Sequence, residues 1–218
     1  MPAEKQESKG RYTSFFENIN KILVQMAPDP NRDDESVIHA AFSAGEMAEL
    51  RRMHPEKDEA RPPIFWKILC RYGVIGNLSN EQIIKSGEER RWAAVIQGMA
   101  LTAELCRDVG KDENFGKALG SADENGDSLS KRFDQLMRAT PERFIDLLRH
   151  MLKLAISKNC AFSWVSLAAL ILTVDEHKRS QIRKGLTQSF YISQEKKQFA
   201  DPNGKTASNT QLAKEIDY

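Results

Sequence analysis

The sequence has few of the residues from which catalytic and metal centres are built. Three cysteines and four histidines occur in 218 residues. Cys70, Cys106 and Cys160 stand far apart with no CxxC spacing, and an odd count of scattered thiols argues against a disulfide framework. Reduced, mostly buried thiols are expected. His39, His54, His150 and His177 meet no second ligand type at metal-site spacing, so neither a metal nor a cofactor is expected. The chain lacks a phosphate-binding glycine loop, a GxGxxG turn and a GxSxG elbow. Cys106 carries no local signature of a nucleophile and reads as a buried helical thiol. With no nucleophile, base or metal set, catalysis has no foothold, and the chain reads as a non-enzyme. No apolar run approaches the roughly 18 residues of a membrane span. The polar, acid-bearing start MPAEKQESKGRYTS is neither a secretory signal nor a transit peptide, so a cytoplasmic protein without a membrane partner is expected.

Strand signals are nearly absent as well; YGVIG at 72–76 is too short to count. Helical periodicity is present almost throughout. Tyr12 to Met26 repeats apolar residues at helical spacing until Pro28 and Pro30 stop it. Ser36 to Phe42 can form a turn of helix, and Gly45 to Met53 a short helix ended by His54-Pro55. Pro63 is placed to open a helix over Ile64 to Tyr72. Asn80 can cap a short helix beyond it. Glu88 to Val109 holds the longest apolar pattern of the first half, with Trp92, Val95, Ile96, Met99 and Leu105. In the second half, Ser128 caps Leu129 to Arg138, Thr140-Pro141 opens a helix to about Ser157, Ser163 caps Trp164 to Val174, and Asp175 caps a helix through Tyr191. The spacing predicts an all-α helical bundle of two small lobes: an N-terminal helix and linker (1–35), an N-terminal lobe (36–114), a C-terminal bundle (115–191) and a polar tail (192–218). The tail has too little apolar surface to offset its ordering entropy and is expected to be mobile, helical at most in pieces.

One polar segment approaches a calcium loop. Asp123, Asn125, Asp127 and Asp134 fall at positions 1, 3, 5 and 12, but the glycine such a loop needs at position 6 is replaced by Ser128. A polar turn ending in a helix cap explains the same residues.

The overall charge of +1 conceals an asymmetry. From Leu129 to Tyr191 there are eleven Lys/Arg against five Asp/Glu, a net of +6, which leaves −5 for the remainder. A neutral chain with one basic half can hold a polyanion while keeping an acidic surface elsewhere. Lys131 and Arg138 share a face flanked by Arg132, away from the apolar set Leu129, Phe133, Leu136 and Met137. Arg149 and Lys153 are neighbours at i, i+4, and the last helix carries Lys178, Arg179, Arg183 and Lys184. Arg51 and Arg52 close the short early helix. Such rows suit a phosphate lattice, where each cation releases condensed counterions without reading sequence. The competing reading is a solvated helix surface with some charges paired to Glu142 or Asp146, on a helical adaptor that touches no nucleic acid.

The order of several short motifs adds to this. AELRR (48–52), IFWKIL (64–69), FGKALGSA (115–122), SKRFDQLMRA (130–139), LLRHMLKL (147–154), FSW (162–164) and KRSQIRKGLTQSFY (178–191) together resemble the CasB family, the small subunit of type I-E CRISPR Cascade complexes. The resemblance covers about residues 36–191. It implies an all-helical, two-lobed, non-catalytic protein that dimerises along the complex. Its partners would be the large and backbone subunits, the guide RNA, and the target and displaced DNA strands. On matching positions it marks Arg51, Arg52, Lys131, Arg132, Arg138 and Arg149 as nucleic-acid contacts. Lys117 sits beside the Ala-Leu element, and His150 stands where relatives often have a second Arg. With Lys153, Arg179 and Arg183 from the basic rows, these form the candidate binding set.

Overall fold

The structure, a computed structural model, describes residues 17–27, 41–57, 60–72, 86–110, 112–123 and 128–200. Among these residues every regular element is a helix: α1 (17–26), α2 (Ala44–Arg52), α3 (Pro63–Arg71), α4 (Ser86–Cys106), α5 (Phe115–Ala122), α6 (Ser128–Met137), α7 (Pro141–Ser157), α8 (Trp164–Leu172) and α9 (Glu176–Ala200). The all-α expectation holds. The anticipated turn at 36–42, apart from its last residues, and the short helix after Asn80 lie outside the described residues.

Local chemistry explains the helix ends. Ser43 and Glu46 form a capping box at α2: the Glu46 N–H donates to Ser43 Oγ at 3.2 Å and the Ser43 N–H donates to Glu46 Oε2 at 2.9 Å. Pro63 and Pro141 occupy first positions of α3 and α7, where a missing N–H costs nothing. Asn114 caps α5 through the Lys117 N–H, and Asp175 caps α9 through the Lys178 N–H at 2.8 Å. α7 ends in a Schellman turn. Asn159 takes the left-handed conformation (φ 53°), and the Cys160 and Asn159 amides close onto the carbonyls of Ala155 and Ile156.

At the centre lies α4, packed against α2, α7 and α8. Its residues Trp92 to Ala100 are buried without interruption, so this helix is not amphipathic in the way its large side chains suggest. Ala93, Ala94, Gly98 and Ala100 complete a burial that apolar periodicity undercounts. Gln97 is buried too, and its amide donates to the Met53 and Arg51 carbonyls at the end of α2. Trp164 from α8 lies over Gly98 and donates its indole N–H to Thr102 Oγ1 at 2.8 Å. One apolar cluster reaches from Ile19 to Phe190.

The second scaffold is α9 lying along α5, with α6 and α8 beside it. Gly116 and Gly120 of α5 face the backbone of α9, where an added Cβ would overlap the carbonyl oxygens of Leu186 and Phe190. Glycine is required there by close approach. Phe133 of α6 stacks on Phe190 (centroids 4.4 Å apart, planes 8° from parallel), and Phe115 meets Phe162 edge-on at 4.8 Å.

α9 does not end at Tyr191 but continues to Ala200, so residues 192–200, the first part of the segment expected to be helical at most in pieces, are helix. The reason is polar. Gln194 donates to Asp123 Oδ2 and Ser130 Oγ, both at 3.1 Å, while Ser130 also donates to Asp123. Lys197 reaches the Ser121 carbonyl. These contacts anchor a helix turn that buries little carbon. They also account for Asp123, and Asp134 accepts the Tyr191 hydroxyl. Both acids of the near-calcium segment that lie within the described residues are therefore engaged in protein contacts. All three cysteines are free, Cys106 and Cys160 buried and Cys70 exposed. No helix among the described residues is long and apolar enough to cross a membrane.

Candidate nucleic-acid interface

The candidate cations divide into three groups by what surrounds them. The first lies on α6, whose residues Leu129, Phe133, Leu136 and Met137 are buried. The opposite side carries Lys131, Arg132 and Arg138, all exposed and without an acidic partner among the described residues. Helical spacing makes this an inevitable outcome once the apolar side docks on α7. Lys153 and His150 on α7 are also exposed, His150 with Nδ1 2.8 Å from the Asp146 carbonyl of its own helix. Arg52, at the end of α2, is exposed with no partner among the described residues.

The second group is committed to neighbours. Arg149 points at the α2–α3 connection, 3.1 Å from His54 Nδ1 and 3.7 Å from Glu56 Oε1. Glu56 is held below the usual carboxylate range despite its burial, by its own backbone N–H, His54 and Arg149. Arg51 donates to the Ala100 carbonyl of α4 at 3.0 Å. Lys117 pairs with Glu113 at 2.6 Å, a bond that raises the lysine's pKa. Of the two basic pairs read from the sequence, then, Arg51-Arg52 splits into one anchored side chain and one with no partner among the described residues, and Arg149-Lys153 does likewise.

The third group was not assembled by the sequence. Arg179 and Arg183 of α9 face inward, with 13% and 20% of their side chains exposed. They share Glu176 at 3.3 and 3.5 Å, and Arg183 also donates to the Ala139 carbonyl. With Arg90 and Arg91 from the start of α4 they line a cleft of about 180 Å³, closed by Pro141, Glu142, Phe144 and Ile145 of α7 and by Leu170 and Ile171 of α8. Sequence reading passed over Arg90 and Arg91, which look like ordinary first-turn charges of a helix. The doublet directly before buried Trp92 was the one available signal. Among the described residues no three His, Cys, Asp or Glu side chains converge in a way that would hold a metal.

Comparison with known proteins agrees with this architecture. The family described as CRISPR-associated protein Cse2 matches residues 46–191. The crystal structure of CasB from M. ruber superposes with a TM-score of 0.58 at 20% identity, covering 75% of this chain and 93% of that one. No curated protein matches the chain.

Proposed function

Because the chain belongs to the CRISPR-associated Cse2 (CasB) family, and is therefore a subunit of a CRISPR complex, we propose that it is a non-catalytic subunit that grips nucleic acid without reading sequence. In this role it works in the cytoplasm as a homodimer beside the large and backbone subunits of Cascade. It holds the guide RNA–target duplex and the displaced strand open as an R-loop. The exchange of duplex DNA for RNA–DNA heteroduplex is nearly balanced in energy. A few phosphate contacts therefore suffice to tip it, whatever the guide sequence.

The observation that carries this reading is the α6 face, with Lys131, Arg132 and Arg138 exposed and lacking an acidic partner among the described residues. Free cations can release counterions from a phosphate chain; cations already neutralised by a carboxylate have less to give. The committed state of Arg149 and Lys117 favours the adaptor alternative for those two residues, and they move to the margin of the interface.

The test is Lys131→Glu, Arg132→Glu and Arg138→Glu in the assembled complex. Target affinity should fall, and each lost contact should lower the slope of log affinity against log salt by roughly 0.7 to 0.9. The fall should be alike for unrelated guides. Unchanged affinity and slope in complexes of matched thermal stability would leave the adaptor reading in possession.

A further inference from the structure

The cleft between the starts of α4, α7 and α9 is built unlike the exposed face, and its chemistry is specific. Four guanidinium groups line it: Arg90, Arg91, Arg179 and Arg183. Among the described residues two carboxylates answer them, Glu142 in the lining and Glu176, which pairs with Arg179 and Arg183 from the exposed side. The balance is two positive charges in a half-enclosed space. Among the described residues five side-chain N or O atoms are buried with no hydrogen-bond partner, and three of them are the Nε atoms of Arg90, Arg91 and Arg183. A buried charged donor without an acceptor is costly, by about 1–3 kcal/mol or more, and such groups ordinarily find partners. Three of the four arginines that line this cleft carry such an atom, although Arg183 also pairs through its other nitrogens with Glu176 and the Ala139 carbonyl.

A ligand that answers this excess positive charge is anionic, with several oxygens, because guanidinium edges are matched by carboxylate or phosphate in forked geometry. Its size is limited. Sites that enclose a whole small molecule run to roughly 300–1,000 Å³, so a cleft of about 180 Å³ takes a group and not a molecule. Four guanidinium groups drawn from two helices offer more donors than the two oxygens of a planar carboxylate can accept, which favours a tetrahedral group. The apolar walls, Phe144, Ile145, Leu170 and Ile171, lower the local dielectric and strengthen the attraction.

We propose that this cleft is a phosphate-binding site that seats one phosphate group, with Arg90 and Arg91 as its principal ligands and Arg179 and Arg183 closing it from α9. The proposal rests on the nucleic-acid reading and extends it: a backbone phosphate seated here would fix the strand at one point, where the α6 face only attracts it. Glu142 is the internal competitor. Its own backbone N–H and the Thr140 hydroxyl, with a smaller contribution from Arg90, hold its carboxyl below the ordinary range, so it stays charged at the rim.

The test uses the full chain with two probes: inorganic phosphate against chloride at matched ionic strength, read as thermal stabilisation, and a labelled oligothymidylate, read by anisotropy. Wild type should be stabilised by phosphate specifically, and phosphate should compete with the oligonucleotide. Arg90→Gln and Arg91→Gln should abolish the phosphate effect and weaken oligonucleotide binding by roughly tenfold or more. Glu142→Gln, which removes the competing carboxylate without touching the core, should tighten both. Loss of the phosphate effect with oligonucleotide binding intact would keep the site and identify its ligand as free phosphate. The Lys131/Arg132/Arg138 reversals should spare the phosphate effect, so failure of the exposed face and failure of the cleft give different patterns. If phosphate stabilises no more than chloride, or if folded Gln variants respond to both probes as wild type does, the cleft is not a phosphate site. Should the Gln variants melt early, Glu142→Gln decides, and no gain in phosphate affinity overturns the proposal.

Discussion

Gly120→Ala puts a methyl group where α5 meets the α9 backbone, and the obstacle is the Phe190 carbonyl oxygen. A side chain could swing away; a peptide group inside a helix cannot, so the two helices must separate. An opening of about 0.5–1 Å forfeits a quarter to a half of the dispersion attraction of every atom pair across the seam. That seam includes buried Leu186 and Phe190 of α9. Overpacking of this kind costs about 1–3 kcal/mol, and an immovable partner places it at the upper end. Alanine recovers up to about 1 kcal/mol through helix propensity. The net is a loss of about 2 kcal/mol, which for a chain of this size lowers Tm by about 4–8 °C. Gly116→Ala meets the Leu186 carbonyl in the same way. Because one separation relieves both clashes, the double variant should lose less than the sum of the two. Gly185→Ala is the internal control: it lies in α9 with nothing within 4 Å of the new methyl and should gain about 0.5–1 kcal/mol. Urea unfolding followed by helical circular dichroism measures all four. If Gly120→Ala is as stable as Gly185→Ala, α5 and α9 do not approach as described.

Thr102→Val keeps the side-chain shape but strands the buried Trp164 indole N–H; the expected loss in urea titration is about 1–3 kcal/mol. Gln194→Leu removes a donor from Asp123 and Ser130 and should cost about 1 kcal/mol, with helical signal lost from the end of α9; no change would show that the helix end holds by other means. Glu46 and Asp175 are both held below their ordinary pKa, Glu46 chiefly by the Ser43 N–H and Asp175 chiefly by the Lys178 N–H. A depressed folded-state pKa adds stability above the ordinary value and loses it as pH falls through the folded value. Tm should therefore hold steady down to about pH 5 and decline below the ordinary values of 4.5 and 3.8; a Tm that stays level to pH 3 would contradict the two caps.

Helix positions were legible in the sequence where punctuation is local. Pro63, Pro141 and Asp175 mark starts that the structure keeps, because capping is decided within one turn of chain. The Ser43–Glu46 box was equally readable and was passed over in favour of the apolar residues after it. Burial of α4 on all sides was less accessible, since Ala93, Ala94, Gly98 and Ala100 are small enough to read as neutral, and only their neighbours α2, α7 and α8 reveal them as packed. The extent of α9 depended on Gln194 finding Asp123, a contact 71 residues apart in sequence that no periodicity contains. Among the cations, α6 could be read from one helix alone. The cleft could not, because Arg90 and Arg183 come together only through the packing of α4, α7, α8 and α9.

The uninterrupted burial of α4 also dictates how this molecule comes apart. A helix with one wet side can loosen while the remainder stays folded, and its amides then exchange with solvent through small local openings. From Trp92 to Ala100 no such side exists. Exposing any amide in that stretch means lifting off α2, α7 or α8, and with them the cluster that joins Ile19 to Phe190. Deuterium should enter the middle of α4 last, at the rate set by global unfolding, while the final turns of α9 exchange early. The chain should accordingly melt as one unit, and a strand pulling on one end of it would be resisted by the whole.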